Sequence, residues 1–205
     1  GYVVPDPKIV NAMYFGVPQH RERIYIVGFR KDLGIKKEDF EYPEQKEVTK
    51  RFIDIREKEP VPSKYYLSTT YVNTLIAHKE RHASKGNGFG YEIIPDDGIA
   101  NAIVVGGMGR ERNIVIDTRQ TDLTPTTRIK GEYNKNGWRR MTPREWGALQ
   151  GYPVYDNKDG TPVFQIPVAD ASAYKQFGNS VAVPAIQATA SQLLKVLSDK
   201  KILSL

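Results

Sequence analysis

Apolar residues form one continuous run near the start of the chain, from Arg23 to Phe29, with Arg23 itself and Gly28 as the exceptions. A short β-branched run of this kind is typical of a strand buried on both faces of a parallel or mixed sheet. The following residues, 31–47, are charged and contain a proline, so they predict a surface connector. We therefore expect a buried strand followed by an exposed link.

Two long helices are predicted from caps and from helical spacing of apolar positions. Ser68 or Thr69 is a candidate N-cap for a helix that continues to about Ala83. Apolar residues at helical spacing predict a final helix from about Pro184 to Asp199.

A third helix is marked by a capping box. Thr142 can accept from the backbone, Pro143 suits the first helical position, and Glu145 can bond back to the cap. Gly151 then lies where a helix end favours glycine.

Residues 91–141 have a different pattern, with short strand candidates at 91–94, 103–105 and 113–117. Glycine-rich and arginine-bearing loops separate them, which predicts a small, irregular β-rich unit. Such loops can place side chains in a groove.

Net charge of +6 and a pI near 9.3 follow from 30 Lys and Arg against 24 Asp and Glu. Residues 101–150 contribute most of the excess, because they hold nine Lys and Arg against five acids. A clustered surplus of arginine favours a polyanionic partner such as nucleic acid. No apolar run approaches the ~18 residues of a membrane span, so no membrane partner is expected.

The chain has no cysteine, which excludes disulfides, thiolate metal sites and a cysteine nucleophile within these 205 residues. His78 and His82 stand at helical i, i+4 spacing, which can hold zinc, but no third ligand accompanies them. Two polar residues on a solvated helix face explain the pair better, and we predict no metal site.

Gln19, Arg21 and Arg23 alternate ahead of the predicted strand. In an extended segment their side chains share one face, where three donors can clamp a phosphate or a base edge. A solvated strand end with surface arginines gives the same spacing. Two further strings, 139–153 and 174–184, are each compatible with a purely structural role as a capped helix and a Gly-Asn turn.

Taken together and in order, the three strings resemble the DNA cytosine-5 methyltransferase family. The first resembles its Gln-x-Arg-x-Arg motif, conventionally the eighth of ten, and the others resemble the ninth and tenth, the last with a Gly-Asn-Ser-Val core. The variable stretch falls where that family keeps its target-recognition region. Residues 31–100 match no motif.

The resemblance implies a mechanism in which the enzyme flips a cytosine out of duplex DNA. A cysteine attacks C6, a glutamate assists at N3, and C5 takes a methyl group from S-adenosylmethionine. The motifs that carry this cysteine and glutamate are absent here, as is the glycine-rich cofactor motif. We therefore expect a C-terminal fragment or subunit that is inactive without an N-terminal catalytic part, which supplies most of the cofactor pocket.

The resemblance also implies residue roles. Arg23 would approach the flipped cytosine and Arg21 would help to hold the catalytic glutamate, so both are expected to support catalysis. Asn179, Ser180 and Val181 would border the S-adenosylmethionine pocket.

The remaining expected residues would bind DNA. Gly106 to Arg112 resembles one recognition loop, in which Met108 would enter the space left by the flipped base, and residues 118–128 resemble a second. The predicted DNA-binding residues are Gln19, Gly107, Met108, Arg110, Arg112, Arg119, Gln120, Thr126, Thr127 and Arg128.

The predicted fold class is mixed α/β, the edge of a Rossmann-like methyltransferase sheet plus a small irregular β-rich target-recognition domain. Residues 1–30 and 142–205 would join the catalytic domain, and 31–141 would form the recognition domain. The expected partners are double-stranded DNA and the N-terminal catalytic part, in the cytoplasm of a microbe with a restriction–modification system. Two alternatives stay open: a non-catalytic DNA-binding module or specificity subunit, and a plain structural domain with a basic surface.

Overall fold

A computed structural model describes residues 1–106, 109–124, 131–155 and 163–203. The α-helices within those residues are α1 (Thr69–Ala83), α2 (Pro143–Leu149), α3 (Asp170–Asn179) and α4 (Val183–Asp199). The strands are β1 (Tyr2–Val3), β2 (Lys8–Asn11), β3 (Gln19–His20), β4 (Glu22–Tyr25), β5 (Phe29–Arg30), β6 (Ala100–Asn101), β7 (Ile114–Ile116) and β8 (Trp138–Arg140). This content confirms the predicted mixed α/β class.

The described strands pair two by two. β1 pairs with β5, β2 with β4 and β7 with β8, all antiparallel, while β3 and β6 are parallel. The β2–β4 pair brings Ile9 opposite Ile24 and Val10 opposite Arg23. The parallel pair joins residues 19–20 to the middle of the chain, because Gln19 lies opposite Ala100.

The apolar run near the start does not form a strand buried on both faces, so that prediction is wrong for this chain. Val27 and Phe29 are buried in one cluster with Val196 of α4. Ile24 and Ile26 point the other way and are 64% and 66% exposed. Alternation along the run places these isoleucines on a face that no described residue covers.

The prediction that residues 31–47 form a surface connector is also partly wrong. Ile35 and Phe40 are 2% and 6% exposed and pack in the same cluster as Phe29 and Val196. Two short 3-10 turns, Lys31–Leu33 and Lys37–Asp39, precede these two residues. The chain thereby buries the apolar side chains while their charged neighbours stay at the surface.

The helix predictions are confirmed at α1, α2 and α4. The Ser68 side chain accepts from Tyr71 N and begins α1. Thr142 and Glu145 form the complete capping box of α2, with Pro143 in its first turn. Gly151 follows α2 with φ of +79°, a conformation that costs glycine little.

The largest core cluster lies around α2 and α3. Trp146 and Leu149 of α2 pack with Tyr174 and Phe177 of α3, and the Trp146 and Tyr174 rings meet edge to face at 4.8 Å. Gly147 is required at the helix contact, because a Cβ there would lie 2.6 Å from a Val154 methyl. The other members of the cluster are Phe52, Ile55, Ile94, Ala100, Ile103, Val115, Met141, Ala148, Val154 and Ala173.

The irregular region matches its predicted strands only in part. Strand β7 lies within the predicted 113–117, and Ile93 makes a single bridge to Ile114. Residues 103–105 form no strand, because side chains from the start of the chain bond both backbone groups of Ile103. The unpredicted β6 takes the sheet position instead.

Candidate functional site

Gln19 ties the start of the chain to two distant segments. Its buried side chain donates from Nε2 to the Leu149 carbonyl at 2.8 Å. Its Oε1 accepts from Ile103 N at 3.0 Å. A fully buried amide with both ends bonded fixes local geometry, since an unpaired one is costly. Gln19 therefore holds α2 and the stretch before the glycine loop in one place.

Arg21 is buried and bridges the stretch before the glycine loop to the Gly-Asn-Ser-Val turn. Its guanidinium donates to the Ile103 carbonyl at 2.7 Å and to the Ser180 carbonyl at 2.9 Å. Burial, together with the neighbouring charge of Arg23, lowers its pKa to about 10. At neutral pH it is still a cation, so both contacts are charge-assisted.

Gln150 belongs to the same junction, although sequence reasoning did not single it out. Its Nε2 donates to the carbonyls of Phe177 and Ser180, at 3.0 and 3.3 Å. Its Oε1 accepts from Gln19 Nε2 at 3.4 Å. The available signal was a glutamine at the C-terminal end of a well-capped helix, where an amide can bond the backbone of a neighbouring turn. The three motif strings thus converge through Gln19, Arg21 and Gln150.

Arg23 has different surroundings from Arg21. It is exposed, and its guanidinium donates to the Glu22 carbonyl at 2.6 Å. With Ile24, Ile26 and Val181 it lines an open cavity of about 350 Å³. The cavity presents a cation at the edge of an apolar surface.

The turn of the third string is anchored on one side and open on the other. Ser180 Oγ donates to the Phe177 carbonyl at 2.7 Å, which closes the end of α3. Asn179 is exposed and Val181 is 50% exposed. Donor, acceptor and apolar groups are therefore available at the surface beside Arg21.

The first recognition loop is described only on its flanks, since Gly107 and Met108 lie outside the described residues. Gly106 has φ of +82°, and a Cβ on Gly109 would lie 2.4 Å from the Val104 carbonyl oxygen. Both positions therefore need glycine. Arg110 follows, exposed, with its guanidinium 5.5 Å from the centre of the Tyr174 ring.

Three further predicted DNA-binding side chains, Arg112, Arg119 and Gln120, are engaged within the chain. Arg112 pairs with Glu92 at 3.2 Å. Arg119 pairs with Asp117 at 2.8 Å and donates to two backbone carbonyls of residues 57–58, while Gln120 donates to the Val61 carbonyl. Thr126, Thr127 and Arg128 lie outside the described residues.

A buried ion network connects this second loop to α2. Arg139, fully buried, pairs with Asp117 at 3.0 Å and with Glu145 at 2.8 Å. Burial by itself would raise the pKa of Asp117, but bonds from Arg119 and Arg139 outweigh it and hold that pKa well below its usual range. Arg139 thus links Glu145, which caps α2, to Asp117, which directly precedes the second recognition loop.

None of the helices in the described ranges combines the length and the apolar character that a membrane span requires. The same residues contain no group of three or more side chains that can ligate a metal. His78 and His82 contact each other with ring centres 4.4 Å apart.

The model of the C-5 cytosine-specific DNA methylase family matches residues 1–195. The type II methyltransferase M.HpaII of Haemophilus parainfluenzae is 66% identical over 97% of this chain and 53% of that relative. M.SsoII of Shigella sonnei is 38% identical over 93% of this chain and 44% of the relative. The chain spans about half the length of these curated relatives.

Solved methyltransferases share the fold. The S. pombe Dnmt2 methyltransferase has a TM-score of 0.61 at 21% identity, covering 97% of this chain and 59% of the other. The Entamoeba histolytica methyltransferase EhMeth has a TM-score of 0.56 at 17% identity, covering 97% and 54%. At these identities the likeness concerns the fold, which is the predicted Rossmann-like methyltransferase architecture.

Proposed function

Because this chain belongs to the C-5 cytosine-specific DNA methylase family, we propose that it is the C-terminal fragment or subunit of a DNA cytosine-5 methyltransferase. It recognises a specific sequence in duplex DNA and helps to position a flipped cytosine for methyl transfer from S-adenosylmethionine. The observation that carries this proposal is the position of Arg21, whose guanidinium bonds the flank of the glycine loop and the Gly-Asn-Ser-Val turn together.

This junction suits an enzyme that couples sequence reading to chemistry. A recognition loop that moves by 1 Å relative to the base pocket loses much of the benefit of orientation. Arg21 and Gln19 prevent such a shift, because they fix Ile103 from both of its backbone groups. Arg21 therefore acts by positioning, and exposed Arg23 is the cation available to the flipped base.

S-adenosylmethionine supplies the methyl group when bound. The residues present fit one edge of its pocket, since the exposed Asn179 amide and the Val181 side chain offer polar and apolar contacts, while the carbonyl of Ser180 is taken by Arg21. The rest of the pocket belongs to the N-terminal catalytic part.

An open apolar face of this chain is the proposed interface with that catalytic part. Ile9, Ile24, Ile26, Val181 and Ile186 are between 41% and 66% exposed. Arg21 and Arg23 border the same cavity of about 350 Å³, so the face is continuous with the proposed site. Contiguous exposed apolar surface favours a protein partner, and the relatives contain about as much chain again. The chain itself has no cysteine to attack cytosine.

The same proposal covers the two domains and the DNA contacts. Residues 1–30 and 142–205 complete the catalytic domain, and 31–141 read DNA in a cytoplasmic restriction–modification system. The DNA-binding side chains are those of the two recognition loops, in which Arg110 is exposed while Arg112 and Arg119 pair with carboxylates.

Reconstitution tests the proposal. The chain is mixed with a cysteine-bearing N-terminal part of a family member, duplex DNA and S-adenosylmethionine labelled in its methyl group. We expect label in DNA with both parts present and none with either part alone. Association of the two folded parts without methyl transfer to any duplex would overturn the proposal in favour of a specificity subunit that binds DNA without catalysis.

A further inference from the structure

A second cleft lies on the recognition side of the molecule, between the start of α1, strand β8 and the start of α3. Its volume is about 390 Å³. Three cations line it, Lys64, Arg110 and Arg140, of which sequence reasoning assigned only Arg110 to DNA. Tyr71, Asp170 and Tyr174 also line it.

The charges of this cleft leave one cation in excess. Lys64 pairs with Asp170 at 2.7 Å. Arg140 pairs with the buried carboxylate of Glu111 at 3.1 Å. For Arg110, the described residues provide neither a hydrogen bond nor an ion pair to the guanidinium, which is exposed. A surplus of one positive charge matches the single negative charge of one phosphodiester.

Aromatic rings lie beside Arg110 and Arg140. The Arg110 guanidinium lies 5.5 Å from the Tyr174 ring, and the hydroxyl of that tyrosine is anchored on the Met141 carbonyl at 2.5 Å. The Arg140 guanidinium lies 5.4 Å from the Tyr71 ring, whose hydroxyl donates to Glu111 at 3.0 Å. Cations held over rings lose less entropy when they bind a ligand. The first turns of α1 and α3 border the cleft and add positive potential.

Arg110 also links the cleft to the first recognition loop. It belongs to that loop and lines a second, smaller hollow with Gly106, the first residue of the loop, and with Val104 and Val105, which precede it. A duplex read by that loop therefore passes within reach of the cleft.

We propose that this cleft binds one backbone phosphate of the duplex, with Arg110 as the principal contact and with Lys64 and Arg140 flanking it. The proposal rests on the proposed function, since it names a further contact of the same DNA. A phosphate contact sets the register of the protein on the duplex without reading its sequence.

The test is DNA affinity of the chain, measured by fluorescence anisotropy with two labelled duplexes of equal length and unrelated sequence over a range of salt concentrations. Arg110→Gln is expected to weaken binding roughly tenfold for both duplexes. It is also expected to reduce the slope of log affinity against log salt by about 1. Lys64→Gln is expected to weaken both duplexes alike, by a smaller factor. Thermal unfolding checks that each exposed substitution leaves the fold intact.

Arg81→Gln is the matched control, because it removes the same charge from an exposed position on α1. Arg81 lies roughly 18 Å along the helix from its start, which borders the cleft. It is expected to leave affinity and slope unchanged. Salt-sensitive binding by the parent chain that Arg110→Gln leaves intact would overturn the phosphate site while the proposed function stands. A loss confined to one duplex would overturn it in favour of base reading. A parent chain that binds neither duplex would remove the proposed function and this site with it.

Discussion

Arg21 and Arg23 stand two positions apart, yet only Arg21 is buried. Arg21→Gln removes charged hydrogen bonds from the buried carbonyl of Ile103 and from that of Ser180. We expect it to lower the free energy of unfolding by about 2–3 kcal/mol, measured by urea denaturation. Arg23→Gln is the matched control, with an expected change within about 0.5 kcal/mol. Equal losses for the two variants would contradict the positioning role of Arg21.

Asp117 predicts a dependence of stability on pH. Its pKa is lowered in the folded chain, so its contribution is complete above its ordinary value of 3.8 and is lost as the pH falls towards the folded value. We expect Asp117→Asn to lower the free energy of unfolding by about 3 kcal/mol at pH 7, because it removes one of the two carboxylates that pair with buried Arg139. Urea titrations from pH 7 to pH 3 should show this difference from the parent shrinking below about pH 4. A difference that stays constant to pH 3 would show that the carboxylate charge is not the cause.

At the scale of elements, the capping box of α2 can be tested directly. Thr142 Oγ1 accepts from Glu145 N at 3.1 Å and donates to Glu57 at 2.9 Å. We expect Thr142→Ala to lower the free energy of unfolding by about 1–2 kcal/mol, while Thr142→Ser, which keeps the hydroxyl, should lose less than half of that. Thermal unfolding of the two variants measures the difference. Equal losses would assign the effect to the missing methyl group and its packing.

Helices were predictable here because their signals are local. The caps at Ser68 and Thr142 act within three or four residues, and α4 shows its apolar stripe in the sequence itself. Strand pairing is not local, so the parallel contact of Gln19 with Ala100 had no signal in either segment. The same limit explains residues 103–105, whose β-branched sequence favours a strand until Gln19 and Arg21 occupy the Ile103 backbone.

At the scale of the whole molecule, the order of the three motifs predicted which segments meet but not which atoms bond there. The three strings identified Gln19, Arg21 and the Gly-Asn-Ser-Val turn in advance, and the structure brings them into contact. For Gln150 the sequence offered only its position at the end of α2, because its partner Phe177 and the Asp117 partner of buried Arg139 come from distant segments of the chain. Which arginines of the recognition loops are already paired within the fold is likewise a tertiary property, since Arg112 and Arg119 have carboxylate partners and Arg110 has none among the described residues.

The open apolar face carries the last prediction. Ile26 is 66% exposed, so Ile26→Lys should leave the free energy of unfolding of this chain within about 0.5 kcal/mol of the parent. If the catalytic part covers this face, the same change removes a buried isoleucine from the contact and places a charge there. Association should then weaken at least tenfold, since burying such a side chain contributes about 1.5–3 kcal/mol.

Ile53→Lys is the matched control for that experiment, because Ile53 is 51% exposed and lies in the 3-10 turn Phe52–Asp54, outside the open face. Sedimentation velocity of the mixed parts gives the affinities, and labelled methyl transfer to DNA follows the same samples. Activity should fall with association for Ile26→Lys and stay at the parent level for Ile53→Lys. If both substitutions weaken association alike, the cause is general surface charge and the apolar face is not the interface. If only Ile26→Lys weakens it, the isoleucine face is the interface that brings Arg23 to the reacting base.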